Sequence, residues 1–356
     1  GTQRKVTFDM LTSDVENIKQ VFFEDRVLQN IPFPERNYAV FDGWYYDVNC
    51  TEELNLYKDA WNTDITLYAH WANEEDGVPY TYVELDDGTV EIRSYTGKRR
   101  FITVPEKIDG KIVSSIGDEA FRNQTGLRRV TLPEGLINIG RAAFQNCSGL
   151  FEADIPDSVE KIGAEAFFNT VNMRTLSLSE NSRLESIGSE AFGNSALEAI
   201  TLPARVSSVD STAFFGCTSL PAVEVVPNNP YFRSGNGVLY NATQTALLVY
   251  PAGKPYADRF TVPESVTTVE ACAFAHASVR NIDLSAVQTI ESNAFLYSEL
   301  VSIVLPDSVR RTGSALFSGC EQLREVTLGS GMGTVSDKMF ENCRALTRVE
   351  IPSQIY

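Results

Sequence analysis

A phenylalanine, preceded in most copies by alanine, recurs along most of this chain at nearly constant spacing. The copies are Phe121, Phe144, Phe167, Phe192, Phe214, Phe274, Phe295, Phe317 and Phe340. Successive copies lie 23, 23, 25, 22, 60, 21, 22 and 23 residues apart, so one interval contains an insertion. Self-similarity with a period of about 20–50 residues is typical of repeat architectures, in which each repeat packs mainly on its neighbours. The chain is therefore predicted to stack these segments on one another.

The residues around each phenylalanine predict one short strand and one short helical turn per repeat. Two aliphatic residues flank one outward-facing residue in runs such as Val130-Thr131-Leu132-Pro133. This alternation is typical of a strand, and proline, which has no N–H to donate, ends it. The Ala-Phe segment is interpreted as a single helical turn. One repeat cannot bury its own apolar face, but stacked copies share one continuous core.

This pattern resembles the BspA-like leucine-rich repeats of bacterial surface proteins over roughly residues 80–356. The resemblance implies a leucine-rich-repeat solenoid made mostly of short parallel strands with short helical turns. It extends to the long interval, where segments 229–232, 237–241 and 247–251 look like the hairpin insert of that family. We expect this insert near residues 226–260, with two strands joined by a polar turn at Ala242–Thr245.

A glycine follows an aliphatic residue shortly before most of the phenylalanines, as in Ile139-Gly140 and Ile162-Gly163. Later repeats replace this glycine, for example by Glu270 and Glu291. Because glutamate does not readily adopt positive φ, the glycine is predicted to allow close packing rather than a left-handed turn.

Residues 1–73 do not follow the repeat and contain all three tryptophans of the chain. Val6-Thr7-Phe8, Phe41-Asp42-Gly43-Trp44-Tyr45 and Ile65–Trp71 resemble the anchor motifs of the Listeria–Bacteroides repeat, also called the internalin B-repeat. The resemblance implies a small β-grasp-like α+β module, found on bacterial extracellular proteins. A short linker is predicted at residues 74–79.

The solenoid is predicted to begin with a hairpin cap and to span residues 80–356. Tyr80–Leu85 and Val90–Tyr95 flank Asp86-Asp87-Gly88, which is a strong turn signal. Such a hairpin would cover the first turn of the array, which otherwise exposes core and strand edge.

The sequence predicts no catalytic residues, no metal site and no cofactor. Four of the six cysteines, Cys147, Cys217, Cys320 and Cys343, lie three residues after their phenylalanine and are expected to be buried free thiols, although Cys320 and Cys343 occupy adjacent turns and a bond between them stays open. No Cys-x-x-Cys pair, phosphate-binding glycine loop or calcium loop is present. The two histidines belong to different predicted domains, which disfavours a catalytic triad. The sequence leaves open whether two carboxylates are paired for glycoside hydrolysis.

Charge and hydropathy limit which binding partners and which cellular location the sequence predicts. The formal net charge is −17, from 30 basic and 47 acidic residues. An acidic surface repels phosphate backbones and anionic lipid, so nucleic acid is not an expected partner. No stretch of about 18 apolar residues is present, and no leader is visible in a chain that starts at Gly1. The family resemblance implies an extracellular or cell-surface location.

The middle residue of each strand, and the residue before the strand, are predicted to line a concave sheet on which partners bind. The candidate partner-binding residues on this face are Arg129, Thr131, Glu152, Asp154, Thr175, Ser177, Thr201, Glu224, Asp283, Glu325, Thr327, Arg348 and Glu350. The expected partner is a host matrix or surface protein, or a glycan, because BspA-like proteins are associated with adhesion. The alternative is a structural spacer in a larger surface protein. The oligomeric state is left open.

Overall fold

The structure, a computed structural model, describes residues 2–23, 28, 31–54, 61–73 and 79–355 of the 356-residue chain. The chain divides into two compact units. One comprises residues 1–79 together with 96–102, and the other comprises residues 80–95 together with 103–356. Most of the predicted linker, residues 74–78, lies outside the described residues. Residues 96–102, which the sequence analysis assigned to the solenoid, group with the N-terminal unit.

The N-terminal unit contains a four-stranded mixed sheet. Its strands are β1 (Gln3–Asp9), β2 (Ile18–Phe23), β3 (Val40–Tyr45) and β4 (Ile65–Ala72), in the spatial order β2-β1-β4-β3. Strands β1 and β4 pair in parallel, and the other two pairings are antiparallel. The described residues of this unit form no helix, and its β-grasp-like α+β class stays a prediction.

Aromatic side chains supply most of the core of this unit. Phe8 and Trp44 are buried, with their ring centroids 4.8 Å apart. Trp44 Nε1 donates to the Pro32 carbonyl at 2.8 Å, so the buried indole keeps a hydrogen-bond partner. On the inward face of β4, Leu67 and Ala69 are buried, whereas Ile65 and Trp71 are half-buried against the same core.

Short strands make up the rest of the chain. In chain order they are β5 (Tyr80–Glu84), β6 (Val90–Tyr95), β7 (Phe101–Thr103), β8 (Lys107–Ile108), β9 (Lys111–Ile116), β10 (Arg129–Thr131), β11 (Asn138–Ile139), β12 (Glu152–Asp154), β13 (Lys161–Ile162), β14 (Thr175–Ser177), β15 (Ser186–Ile187), β16 (Ile200–Leu202), β17 (Ser208–Val209), β18 (Val223–Val225), β19 (Phe232–Gly235), β20 (Val238–Asn241), β21 (Ala246–Val249), β22 (Phe260–Thr261), β23 (Thr268–Val269), β24 (Ile282–Asp283), β25 (Thr289–Ile290), β26 (Ser302–Val304), β27 (Arg311–Thr312), β28 (Glu325–Thr327) and β29 (Arg348–Glu350).

A typical turn of the second unit contributes two strands to two different parallel sheets. One is the predicted strand, such as β10, which pairs in parallel with β12 of the next turn. The other is a two-residue strand, such as β11, which pairs in parallel with β13. This second strand was missed by the sequence analysis because two residues are too few to display an alternating pattern. The predicted parallel-strand solenoid is confirmed.

The phenylalanine segments form linked β-turns in place of the predicted helical turns. In one copy, the N–H groups of Ala143 and Cys147 each donate to the carbonyl three residues earlier. Ala142 and Asn146 have φ values of 54° and 60°, and most other turns repeat this four-residue spacing of left-handed residues. A left-handed residue at every fourth position cannot continue an α-helix. The predicted short helical turns are therefore absent from the described residues.

The phenylalanines form a stacked column inside the solenoid. The ring centroids of Phe144 and Phe167 lie 5.1 Å apart, and those of Phe167 and Phe192 lie 5.6 Å apart, with the ring planes within 5° in both pairs. The later copies stack in the same way, from Phe274 to Phe340. The predicted common interior is confirmed.

The recurring glycine serves close packing, as predicted. A Cβ on Gly163 would lie 2.7 Å from the carbonyl carbon of Gly140 in the preceding turn, and a Cβ on Gly140 would lie 2.7 Å from the Asp118 amide nitrogen. Neither glycine has positive φ. These glycines therefore allow successive backbones to approach closely.

The insert consists of β19, β20 and β21. Strands β20 and β21 form the predicted antiparallel pair, and β19 adds a third strand on the other edge of β20. Strand β21 then pairs in parallel with β23, which continues the solenoid. Phe232 and Tyr240 of this insert are buried, whereas Tyr231 is 49% exposed. The insert is thus a packed part of the array.

Candidate interaction face

The longer strands form a face, here called the strand face, on which polar side chains align from turn to turn. Val130 and Ala153 of neighbouring strands point inward and are buried, because successive residues of a strand alternate between its two sides. Their outward neighbours pair in register in two rows. The rows are Arg129–Glu152–Thr175 and Thr131–Asp154–Ser177.

The later strands of this face carry the other predicted residues. Thr201 pairs with Glu224, and Asp283 pairs with Thr261. In the last strands the register pairs are Glu325–Arg348 and Thr327–Glu350. All thirteen predicted residues are exposed or half-buried, as the alternation requires.

The structure does not place all thirteen residues on one continuous ladder. Hydrogen-bonded pairing along the strand face is divided into separate sheets, β14-β12-β10-β7, β16-β18, β22-β24 and β26-β28-β29. The insert follows β18 in the chain, and the Val223 N–H donates to Gly237 of the insert at 2.9 Å. The predicted residues therefore lie before and after the insert, and each of these two groups is itself divided between two sheets.

The group before the insert contains an arginine held between two carboxylates. Arg129 Nε lies 3.1 Å from Glu152 Oε2, and Arg129 Nη2 donates to Asp154 Oδ2 at 2.7 Å. Burial raises the pKa of Glu152, and the positive charge of Arg129 partly offsets this effect. This cluster presents one cation and two anions in a fixed arrangement.

The group after the insert is more exposed. Thr327 Oγ1 donates to Glu350 Oε2 at 3.1 Å, and Arg348 forms an ion pair with Glu350. Surface pairs of this kind contribute only about 0–1 kcal/mol to stability. Their side chains can therefore exchange these partners for those of a ligand at little cost.

The sequence analysis missed a second surface feature. An open pocket of about 580 Å³ lies beside the turns of the later repeats, and its walls include Tyr256, His276, Arg280 and Tyr297. These residues come from different repeats, so no local motif marks them. One feature of the sequence could have revealed the pocket. Two residues after their phenylalanines, His276 and Tyr297 replace an asparagine that recurs at this position in other repeats.

The described residues offer little for catalysis by thiols or metals. Burial raises the pKa of Cys147 to about 12 and that of Cys217 to about 11, so both thiols stay protonated at neutral pH. Within the described ranges, no three or more His, Cys, Asp or Glu side chains are grouped so that they could hold a metal ion. No helix in that part of the chain is long and apolar enough to cross a bilayer.

A solenoid of two-strand turns with an aligned polar strand face defines the general class of this protein. The BspA type leucine-rich repeat profile matches residues 97–221 and 253–356, in six copies. The chain belongs to the BspA-type leucine-rich repeat family. No curated protein is similar enough to count as a relative.

Several solved structures share the fold. A leucine-rich repeat protein from Eubacterium ventriosum is 23% identical with a TM-score of 0.59, over 78% of this chain and 84% of that one. The pneumococcal vaccine antigen PcpA is 22% identical with a TM-score of 0.59, over 79% and 88%. A leucine-rich cell surface protein from Faecalibacterium prausnitzii is 24% identical with a TM-score of 0.51, over 78% and 94%.

Proposed function

We propose that this chain is a non-catalytic, secreted or cell-surface protein that binds a macromolecular partner, in the first place a protein, through its strand face. The surface location is supported by the family and by the similarity to a leucine-rich cell surface protein of Faecalibacterium prausnitzii. The net charge of −17 favours a protein or glycan over nucleic acid.

The main observation behind this proposal is the Arg129–Glu152–Asp154 cluster. Its charged groups lie on a hydrogen-bonded parallel sheet, so their positions are set before a partner arrives. Preorganised groups lose less conformational entropy on binding. Arginine is also among the residues most often found in the energetic centre of protein interfaces.

The N-terminal unit fits the same extracellular role. We propose that it is an internalin B-repeat-like module with a β-grasp-like fold, on the basis of its Phe41–Tyr45 and Ile65–Trp71 motifs. Its mixed sheet with β1 and β4 parallel supports this assignment. Together with the repeat family, the module favours adhesion to host matrix or to other cells.

The alternative function is that of a spacer with no ligand of its own. Two features favour it. The charges of the Arg129 cluster are paired with one another, and the thirteen predicted partner-binding residues include no aromatic side chain. Aromatic residues dominate most protein interfaces.

Charge reversal separates these two functions. The double variant Glu152→Lys/Asp154→Lys inverts the cluster, and Glu134→Lys/Glu180→Lys, on exposed turns away from the strands, matches the change in net charge. After a screen against immobilised host matrix proteins, we expect the first variant to lose at least tenfold in affinity for any captured protein and the second to keep it. Absence of binding by the unmodified protein, or equal loss in both variants, would support the spacer.

A further inference from the structure

The pocket beside the later turns is built from backbone that the solenoid holds in register. The Arg280 N–H donates to the Ala257 carbonyl at 2.9 Å, and the Val301 N–H donates to the Arg280 carbonyl at 2.9 Å. Ala257 also forms a parallel bridge with Val279. The walls of the pocket therefore come from consecutive, hydrogen-bonded turns and need no rearrangement to form.

The pocket exists because one column of the solenoid changes its side chain. Two residues after the phenylalanine, early turns carry asparagine, and Asn146 Nδ2 donates to Asn123 Oδ1 at 2.9 Å. In later turns the same position holds His276, Tyr297 and Gly319. The hydrogen-bonded asparagine side chains of the early repeats are thus replaced in the later repeats by two aromatic rings and a glycine.

Gly319 is what allows the Tyr297 ring to lie where it does. A Cβ on Gly319 would collide with the Tyr297 ring, so the ring lies against the bare backbone. The φ of +70° at Gly319 also favours glycine. On its other side, Tyr297 contacts the ring of His276, with 5.1 Å between centroids. The ring is therefore held in place although the residue is 52% exposed.

A second tyrosine lines the same pocket. Tyr256 is 57% exposed, and its hydroxyl donates to Asp258 Oδ1 at 3.0 Å. Two fixed and exposed aromatic rings in one pocket leave apolar area in water, which folding alone does not favour. Their exposed faces are available to pack against a ligand.

Polar groups complete the lining. Arg280 is exposed and, among the residues that the structure describes, its side chain forms no hydrogen bond or ion pair. Glu299, Glu321 and Gln322 add acceptors and an amide around it. Burial lowers the pKa of His276, so its ring is neutral at pH 7. The lining of the pocket therefore combines the faces of aromatic rings with the guanidinium donors of Arg280 and several hydrogen-bond acceptors.

We propose that this pocket binds neutral pyranose units of a glycan, with Tyr297 and Tyr256 packing on sugar rings and Arg280 and its neighbouring carboxylates bonding sugar hydroxyls. A pyranose presents an apolar face of C–H groups and an edge of hydroxyls, which is complementary to this lining. A volume of about 580 Å³ lies within the range of small-ligand pockets. A folded protein partner needs an interface that extends well beyond one pocket, on the order of 800 Å² of surface per partner.

Charge determines which sugars fit. Glu299 and Glu321 line the pocket together with the cation Arg280, Arg344 pairs with Glu321 at 3.6 Å, and the chain as a whole carries −17. Sialylated, sulfated or phosphorylated glycans would meet net repulsion there. None of the thirteen predicted partner-binding residues lines this pocket, so the proposal stands or falls independently of the protein partner proposed above.

Saturation-transfer NMR with the full chain tests the proposal. The probes are lactose, N-acetyllactosamine, maltotriose, mannotriose and chitotriose, each compared with a sialylated and a sulfated counterpart where one exists. We expect saturation transfer to at least one neutral probe, with weaker transfer to the acidic forms. Affinity for that probe is then measured by titration calorimetry for the unmodified protein and for the variants.

Tyr297→Ala and Tyr256→Ala are each expected to lower affinity for that probe at least tenfold. Tyr231→Ala is the matched control, because Tyr231 is 49% exposed but outside the pocket, and it is expected to change nothing. Gly319→Ala, which displaces the Tyr297 ring, is expected to follow Tyr297→Ala. If Tyr297→Ala fails to fold, Tyr256→Ala and Arg280→Ala decide the test, since both side chains are exposed.

Three results would overturn the proposal. The first is no saturation transfer to any neutral probe. The second is transfer only to the acidic forms. The third is binding that Tyr256→Ala, Arg280→Ala and Tyr297→Ala leave unchanged.

Discussion

The thiol of Cys147 donates to the carbonyl oxygen of Phe121, 26 residues earlier in the chain, with 3.0 Å between Sγ and O. The same contact recurs in the pairs Cys217–Phe192, Cys320–Phe295 and Cys343–Phe317. The structure holds all six cysteines as free thiols. The recurring cysteine therefore gives a second donor to a carbonyl of the neighbouring turn, in addition to filling space in the core, since the Phe121 carbonyl also accepts from the Gln124 N–H at 3.2 Å.

Replacing Cys147 tests whether the donor or the sulfur is required. Serine already occupies the same column at Ser195 and Ser298. We expect Cys147→Ser to stay within about 1 kcal/mol of the original stability, because it retains a donor. Cys147→Ala removes this donor but leaves the Phe121 carbonyl bonded to the Gln124 N–H at 3.2 Å, so it should cost about 0.5–1.5 kcal/mol relative to the serine variant. Urea denaturation of both variants measures the difference, and equal stability of the two would contradict this role.

The buried thiols also predict a loss of stability at high pH. Burial raises the pKa of Cys147 from 9.0 to about 12 and that of Cys320 to about 11. The folded state keeps these protons where the unfolded state releases them. Their contribution is therefore complete below pH 9 and disappears as the pH rises through 11 to 12, by about 1.4 kcal/mol per pH unit and thiol.

Thermal unfolding between pH 8 and pH 11 measures this effect. The comparison is with Cys147→Ser, which has no thiol to titrate and should lose stability less steeply above pH 9. Other groups titrate equally in both proteins and cancel in the difference. Parallel curves for the two proteins would show that this thiol does not contribute.

Gly163 and Gly126 should respond differently to the same substitution. A Cβ on Gly163 meets the backbone of Gly140 at 2.7 Å, whereas a Cβ on Gly126 has no neighbour within 4 Å. We expect Gly163→Ala to cost about 1–3 kcal/mol through overpacking, and Gly126→Ala to stay within about 0.5 kcal/mol. Denaturation midpoints of the two variants provide the measurement. Similar midpoints would argue against close backbone packing at Gly163.

Position in the phenylalanine column should set the cost of truncation. Phe167 is fully buried between two stacked rings, whereas Phe340 is half-buried and has one stacked neighbour, Phe317. We expect Phe167→Ala to lose about 3–5 kcal/mol and Phe340→Ala to lose clearly less. Calorimetric melting temperatures test the order, and the reverse order would be inconsistent with a shared core.

Arg100 is expected to be essential to the N-terminal unit. Its guanidinium lies 2.6 Å from Glu53 Oε2 and 3.3 Å from Asp42 Oδ1, and it donates to Tyr45 Oη at 2.7 Å. Burial lowers the pKa of Arg100, but the hydrogen bond and charge of Asp42, together with Glu53 and Tyr45, outweigh this effect, and the pKa is raised. Replacing Arg100 leaves Asp42 and Glu53, two half-buried carboxylates, without their positively charged partner.

We expect Arg100→Ala to destabilise this unit by about 3 kcal/mol. The control is Arg36→Ala in the same unit, where the exposed pair with Asp14 is worth about 0–1 kcal/mol. Because all three tryptophans lie in residues 1–73, tryptophan fluorescence during denaturation follows this unit alone. Equal midpoints for the two variants would refute the role of Arg100.

The solenoid could be predicted from the sequence because its core is periodic. Stacking requires the same side chain at the same place in every turn. The regular spacing of Phe144, Phe167 and Phe192 in the sequence is therefore enough to predict the solenoid. The close packing at Gly140 and Gly163 could be predicted as well, because glutamate replaces glycine at the equivalent position elsewhere. The thirteen strand-face residues could be named from strand alternation, but their use in binding stays a prediction.

The tertiary structure decided everything that depends on which residues of different turns meet. The left-handed conformation of Ala142, which helps to remove the expected helical turn, has no sequence signature, whereas the recurring asparagine at positions such as Asn146 is a residue type that favours this conformation. The division of the strand face at the insert, and the placing of Arg100 in the N-terminal unit, depend on how distant segments pack. The pocket of Tyr256 and Tyr297 is also a product of packing, because residues about one repeat length apart become neighbours only when the turns are stacked.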